Sequence, residues 1–236
     1  MAYKIVKTTF EAYNGTNLDY FRRKDTNDLN TIASIVVNDE YHTEDMTYSE
    51  GDVFVDIGAH IGGWAKLMRS LVPNCGIIAV EPLPENIELL KSNVDGEIIE
   101  KAIANRSDTT RKIHYGDNTE SGKHHKYIGN VVMLGVKSEE YVKVPAISLN
   151  DLLKNVKSVR VMKMDCEGGE YSALRFASRE TLDKIDYIIG EYHNPDNEKT
   201  KTRKALHKAT KGLFEDISES KKDTPLGQFW FKNKRL

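Results

Sequence analysis

The chain has 236 residues, with 34 basic and 36 acidic side chains and a formal net charge of −2. That length supports one substantial core or two small domains. The near balance of charge excludes a global field that would draw the protein to nucleic acid or to an anionic membrane. Two cysteines, Cys75 and Cys166, make neither a disulfide framework nor a metal-ligand spacing, and each lies in an apolar run. They are expected to be buried free thiols in a reducing compartment. The opening MAYKIVKTTF lacks the apolar heart of a signal peptide, and no run approaches the ~18 apolar residues that cross a bilayer. The expectation is a cytoplasmic globular protein without a membrane partner.

In chain order, YKIVKTTFEAY and LDYFRRK are expected to pair as strands around Asn14-Gly15, and TNDLNTIASIVVNDEY to form a helix capped near Thr26 or Asn27. Residues 1–50 thus form a hairpin-plus-helix extension packed on a domain of residues 51–236. DVFVDIG has the composition and length of a strand, and Ile61, Trp64, Ala65, Met68, Leu71 and Val72 follow it at helical spacing. CGIIAVEP is a buried strand ended by Pro82. Pro84 opens a helix with a stripe of Ile87, Leu90 and Val94, and Gly96 lies past its end. EIIEKAIA is a third strand. Ser148 and Asp151 have the spacing of a capping box for LNDLLKNV. SVRVMKMDC is a strand, GGEYSALRFA opens a helix and DYIIGEYH is another strand. Leu206, Ala209 and Leu213 mark a late helix, and FEDIS and GQFWFKN close the chain as strands. The stretches Tyr115 to Asn130 and Ser218 to Gly227 look like loops, the first long enough to carry a function. This alternation implies βαβ crossovers. The predicted fold is Rossmann-like and doubly wound, a mostly parallel sheet of about seven strands with an antiparallel C-terminal hairpin strand.

The stretch VFVDIGAHIGGWA aims a strand into a glycine turn with Asp56 just before the bend. Glycines there let a ligand approach the backbone, and the N–H groups of the next helix favour negative charge. The spacing Gly58-x-x-x-Gly62-Gly63 lacks the middle glycine of the dinucleotide fingerprint. Asp56 would repel a pyrophosphate but suits a ligand carrying an ammonium, as S-adenosylmethionine does. Glu81, ending the second strand 23 residues after Gly58, stands where an acidic side chain accepts ribose hydroxyls. It supports an adenosine ligand without choosing between NAD and S-adenosylmethionine.

The segments VFVDIGAHIGGWA, AVEPLPENIELLKSNV, KAIAN and VMKMDCEGGEYSALRFA resemble, in that order, the motifs of the FkbM-type methyltransferases, a branch of the class I S-adenosylmethionine-dependent enzymes. The resemblance runs from about Thr26 to His193, and KMDCEGGE is its most specific part. It implies S-adenosylmethionine as cofactor and S-adenosylhomocysteine as product. It further implies that Asp56, Gly58 and Gly62 hold the methionine end, Glu81 the ribose, and Ala102 and Ile103 lie near the adenine. Asp165 would face the methyl group. His60, where asparagine is more usual, joins the cofactor-binding set. Asn150 replaces the family's aspartate and is given no role.

MDCEGGE places Asp165, Glu167 and Glu170 at a strand end and helix start, where carboxylates also serve as helix caps. The next strand delivers Glu191 and His193 to the same edge, two apart and facing one way. An alcohol acceptor must lose its proton, and Asp165, His193 or Glu191 are the candidate catalytic groups for taking it. Asp165, Glu191, His193 and Asn194 also offer metal ligands, but their spacing matches no metal motif and no metal is expected. The lysines and arginine from Lys199 to Lys211 suit a solvated helix face, and Lys123, His124, His125 and Lys126 a surface loop. The expected activity is O-methylation of a small molecule or carbohydrate. A nucleic-acid or protein methyltransferase and a non-catalytic S-adenosylmethionine-binding protein remain as alternatives. Against a nucleic-acid partner stand the balanced charge and the missing Asn/Asp-Pro-Pro-aromatic string after the fourth strand.

Overall fold

The computed structural model describes residues 3–114, 141–193, 202–218 and 226–236. In chain order the elements are β1 (Ile5–Glu11), β2 (Asn17–Arg23), α1 (Asp28–Val36), β3 (Val53–Ile57), α2 (Gly63–Leu71), β4 (Gly76–Val80), α3 (Pro84–Asn93) and β5 (Glu97–Ile99). Then come β6 (Ala102–Ala104), β7 (Thr110–His114), β8 (Tyr141–Ser148), α4 (Leu149–Leu152), β9 (Val159–Met164), α5 (Gly169–Phe176), α6 (Arg179–Asp183), β10 (Ile185–His193), α7 (Arg203–Ala209), β11 (Phe214–Asp216) and β12 (Leu226–Asn233). The loop from Tyr115 to Asn130 with its Lys123–His124–His125–Lys126 run, most of the second loop, and Asn194, Lys199 and Lys201 lie outside the described residues.

The main sheet has seven strands in the order β11-β12-β10-β9-β3-β4-β5. Its pairings β10·β9, β9·β3, β3·β4 and β4·β5 are parallel, and the two pairings of β12, with β10 and with β11, are antiparallel. This is the predicted fold class. Both faces are covered, because side chains alternate along each strand. Phe54 and Val161 pack with Ile32, Trp64, Leu67 and Leu90 on one face. Val55 and Met162 pack with Leu174, Leu182 and Leu206 on the other. The hairpin β1–β2 and helix α1 share the first of these cores through Tyr20, Ile32, Ile35 and Val36. Among the described residues no helix is long and apolar enough to cross a membrane.

Two expectations need correction. EIIEKAIA is not one strand: β5 ends the main sheet, whereas β6 joins a separate three-stranded sheet ordered β6-β8-β7. The polar pair Glu100-Lys101 breaks the apolar run, and the Lys101 amide closes a turn onto the Ile99 carbonyl at 2.8 Å. The first helix also stops short, at Val36 rather than running toward Tyr41. Asp39, with a left-handed φ of 46°, accepts the Thr43 and Glu44 amides at 2.9 Å each. Its side chain thereby offers the backbone a turn in place of another helical one. Half of the capping box is present: the Ser148 hydroxyl accepts the Asp151 amide at 3.2 Å, while the Ser148 amide donates to the Ser107 hydroxyl at 3.0 Å instead of to Asp151.

Candidate active site

In an open parallel sheet, ligands bind beyond the carboxyl ends of the strands where the chain order reverses. Here that point lies between β3 and β9, since the chain moves outward from β3 through β4 and β5 and then returns to lay β9 and β10 on the other side. The two strand ends are locked together, with the Asp165 amide donating to the Ile57 carbonyl at 3.0 Å. Gly58 follows with φ +78°, and a Cβ there would lie 1.8 Å from the Asp165 carbonyl oxygen. Only a glycine lets the turn pass so close to the next strand.

A cavity of about 340 Å³ opens at this point, within the usual size of small-molecule sites. Of the predicted residues, Gly58, His60, Glu81, Ala102, Ile103 and Asp165 line it. Thr31, Ile32 and Ile35 of α1, Asn86 of α3, and Glu167 and Gly168 after β9 line it as well. Asp56, Gly62, Glu191 and His193 are not in its wall. Asp56 lies beneath, 1% exposed, with the Lys163 ammonium 3.0 Å from its Oδ1. Lys163 also donates to the Gly58 carbonyl at 2.9 Å, which ties the charge pair to the glycine turn. Burial pushes the Asp56 carboxyl up. Burial opposes the Lys163 ammonium too, but Asp56 and Asp165 outweigh it and hold the proton more tightly. Gly62 opens α2 against α3, where a Cβ would meet the Val94 side chain at 2.4 Å.

Glu81 is 4% exposed rather than at a solvated strand tip. Its Oε2 accepts the His60 amide at 2.9 Å, and its Oε1 accepts the Leu83 amide at 3.0 Å and Asn86 Nδ2 at 3.1 Å. A carboxylate has about four acceptor positions, so one remains for a ligand. Burial raises its pKa, and the Leu83 amide and the neighbouring His60 oppose this. Glu81→Ala is therefore expected to lower the melting temperature as well as ligand affinity, because it strands the His60 and Leu83 amides. Thermal unfolding of the ligand-free variant checks this, and an unchanged midpoint would mean that the turn does not lean on Glu81.

The carboxylates predicted around the methyl site do converge. His193 Nε2 lies 3.3 Å from Glu167 Oε2, 3.5 Å from Glu191 Oε2 and 3.8 Å from Asp165 Oδ1, and its Nδ1 is 3.5 Å from Glu170 Oε1. Burial alone would lower the His193 pKa, but Glu170, Glu191 and Glu167 raise it to about 11. The ring is thus an imidazolium at neutral pH and has no lone pair to take a proton. Glu167 has the opposite character. Burial raises its carboxyl, the His193 charge opposes this, and Asp165 and Glu170 push it further, to about 8. It is held at a left-handed φ of 54° and lines the cavity. Glu170 is fully buried and accepts the Cys166 amide at 2.8 Å, which ties the helix start back to the loop after β9; α5 itself has no side-chain cap. The ligand atoms of Asp165, Glu167 and His193 lie within 4.8 Å of one another, close enough to share one cation.

Several residues of the site had no place in the sequence expectations. Tyr41, 2% exposed, donates its hydroxyl to Asp165 Oδ2 at 2.9 Å. Arg23 and Asp28 form a buried bidentate pair that reaches His60 and Asn86. Lys163 alone left a signal, a cation at an inward position of an apolar strand, which needs a buried partner.

Fold and site together define a Rossmann-like α/β protein with a ligand cavity at the switch point of its sheet. The Methyltransferase FkbM domain matches residues 56–218, and the chain belongs to that family. Among curated proteins it is similar to "Methyltransferase 1" of Beauveria bassiana (strain ARSEF 2860), with 27% identity over 166 residues. That match covers 61% of this chain and 66% of the relative's length. Among solved structures it is similar to Aeropyrum pernix fibrillarin in complex with natively bound S-adenosyl-L-methionine, at 11% identity and a TM-score of 0.46, covering 98% of this chain and 100% of the other. It is also similar to precorrin-6y C5,15-methyltransferase from Geobacter metallireducens GS-15, at 12% identity and a TM-score of 0.39, covering 80% and 83%.

Proposed function

We propose that this protein transfers the methyl group of S-adenosylmethionine to a hydroxyl of a small molecule or sugar. The observation that carries the reading is the single cavity shared by Gly58, Glu81 and Asp165, in a chain of the FkbM family. The residues present suit the cofactor. Ile57, Val80 and Ile103 give an apolar bed, Glu81 keeps one acceptor position for a ribose hydroxyl, and the Asp165 carboxylate lies at the cavity where a sulfonium would sit. When bound, the cofactor supplies an already activated methyl group, so the protein mainly aligns an acceptor with it.

The acceptor proton goes to a carboxylate rather than to His193. Glu167 faces the cavity, and its raised pKa matches a base working near neutral pH. His193, behind it, supplies the positive charge that lets Asp165, Glu167, Glu170 and Glu191 crowd together. This revises the catalytic set of Asp165, His193 and Glu191: Asp165 stays at the cavity, Glu167 takes the proton, and His193 and Glu191 support it.

Calorimetry on the purified protein is expected to show binding of S-adenosylhomocysteine and none of NAD. Binding of NAD alone would overturn the reading. Transfer from labelled S-adenosylmethionine into fractionated extract would then report the acceptor. A chelator should leave that transfer unchanged. Loss of transfer with chelator, restored by a divalent cation, would instead make Asp165, Glu167 and His193 metal ligands.

A further inference from the structure

Asp165 follows β9 at the cavity, and its side chain is partly exposed there. A carboxylate at a strand end can turn about its side-chain bonds, so it must be held if its charge is to face one point. Its Oδ1 lies 3.8 Å from His193 Nε2, beyond hydrogen-bond reach. Its Oδ2 accepts the Tyr41 hydroxyl at 2.9 Å, the one hydrogen bond to this carboxylate among the described residues.

Tyr41 is itself held. It is buried, and its carbonyl accepts Trp230 Nε1 at 3.0 Å. The Glu40 carbonyl before it accepts Gln228 Nε2, also at 3.0 Å. The His42 ring after it stands edge-on to Trp230, with ring centroids 5.0 Å apart. Three successive residues, 40–42, are thus pinned to β12. The Lys163 ammonium lies 5.5 Å from the Tyr41 ring centroid, close enough for a cation to be drawn to the ring face. Tyr41 and β12 both lie outside the residues 56–218 that match the family. The plain alternative is that a buried phenol needs an acceptor and Asp165 serves as one, with no consequence for the ligand.

We infer that Tyr41 is a positioning residue: by donating to Oδ2 it fixes the Asp165 carboxylate, leaves Oδ1 without a protein donor, and so sets the charge that faces the sulfonium of the bound cofactor. β12 anchors it through Gln228 and Trp230. The inference rests on the cofactor reading proposed above. A fixed negative charge at that place acts on the cationic sulfur of S-adenosylmethionine and not on the neutral sulfur of S-adenosylhomocysteine. The contact therefore bears on how the site weighs substrate against product.

Calorimetry with each cofactor form, in the absence of an acceptor, tests this through the ratio of the two affinities. Tyr41→Phe removes only the hydroxyl. It should lower the affinity for S-adenosylmethionine relative to S-adenosylhomocysteine about threefold to tenfold, the scale of one hydrogen bond. Asp165→Asn should lower the same ratio at least as far, and Tyr41→Phe should change it no further in that background. Trp230→Phe keeps the hydroxyl but removes the donor to the Tyr41 carbonyl. It should move the ratio the same way by a smaller factor, and it carries the test if Tyr41→Phe does not fold. A ratio that stays at the wild-type value in the folded variants, with both ligands weakened alike or not at all, would overturn the inference and leave the cofactor reading standing. A further fall from Tyr41→Phe in the Asp165→Asn background would overturn it too, since the hydroxyl would then act by another route. Wild-type protein that binds neither ligand would remove the cofactor reading and this inference with it.

Discussion

Gly58→Ala is expected to abolish S-adenosylhomocysteine binding and to lower the melting temperature by on the order of 10 °C. Two physical terms add. A left-handed backbone costs a residue with a side chain about 1–2 kcal/mol, and overpacking a rigid contact costs roughly 1–3 kcal/mol more. The second term is severe because the obstacle is backbone. The added methyl would sit 1.8 Å from the Asp165 carbonyl, and that strand end is held by the Asp165 amide bond to Ile57. Relief means separating β3 from β9 at the cavity floor. Gly15→Ala is the control, since Gly15 has a similar φ of +81° with open space around it. It should show the backbone term alone. If the two variants melt together and both bind ligand, the contact between the glycine turn and Asp165 is not tight in solution.

Glu167→Gln is expected to reduce methyl transfer by roughly 10²–10⁴ while leaving S-adenosylhomocysteine affinity close to that of the wild type. Wild-type turnover should fall as pH drops below about 8, because the carboxylate must be unprotonated to accept the hydroxyl proton. Stability should change in the opposite sense. The folded protein holds a proton on Glu167 up to about pH 8, whereas the unfolded chain releases it near the ordinary carboxyl value of 4.5. The folded state therefore binds more protons between those pH values and loses stability as pH rises through them. Glu167→Gln removes that loss, so it should melt with the wild type at pH 4 and above it at pH 9. His193, raised from 6.5 to about 11, adds a decline over its own higher range that the variant keeps. Unchanged turnover together with unchanged melting at pH 9 would place Glu167 outside the chemistry and its charge in water.

The order of strands and helices was legible because each element carries its own period. GIIAV, and VFVDI apart from Asp56, are apolar runs suited to a sheet buried on both faces, and Trp64, Leu67 and Met68 fall on one side of a helix. That Gly58, Glu81 and Asp165 would line one cavity was legible because each follows the end of a parallel strand, and strand ends in such sheets share an edge. The split of EIIEKAIA into two sheets was not, since a three-residue strand has too few residues to show a period. Nor was the state of His193. Its residue type suggested a base, but four carboxylates from two segments of the chain surround it, and their sum decides whether a lone pair exists.

The sequence by itself determined the fold class, the family, the glycine turn and the sheet edge on which the cavity opens, because these depend on local composition and spacing. Only the tertiary structure decided which charges face one another. It joined Arg23 and Asp28 to His60, Lys163 to Asp56 and Tyr41 to Asp165 across 37, 32, 107 and 124 residues. The physical reason is range: a propensity acts over a few neighbouring residues, whereas burial and Coulomb interaction act on whatever the fold brings within a few ångströms.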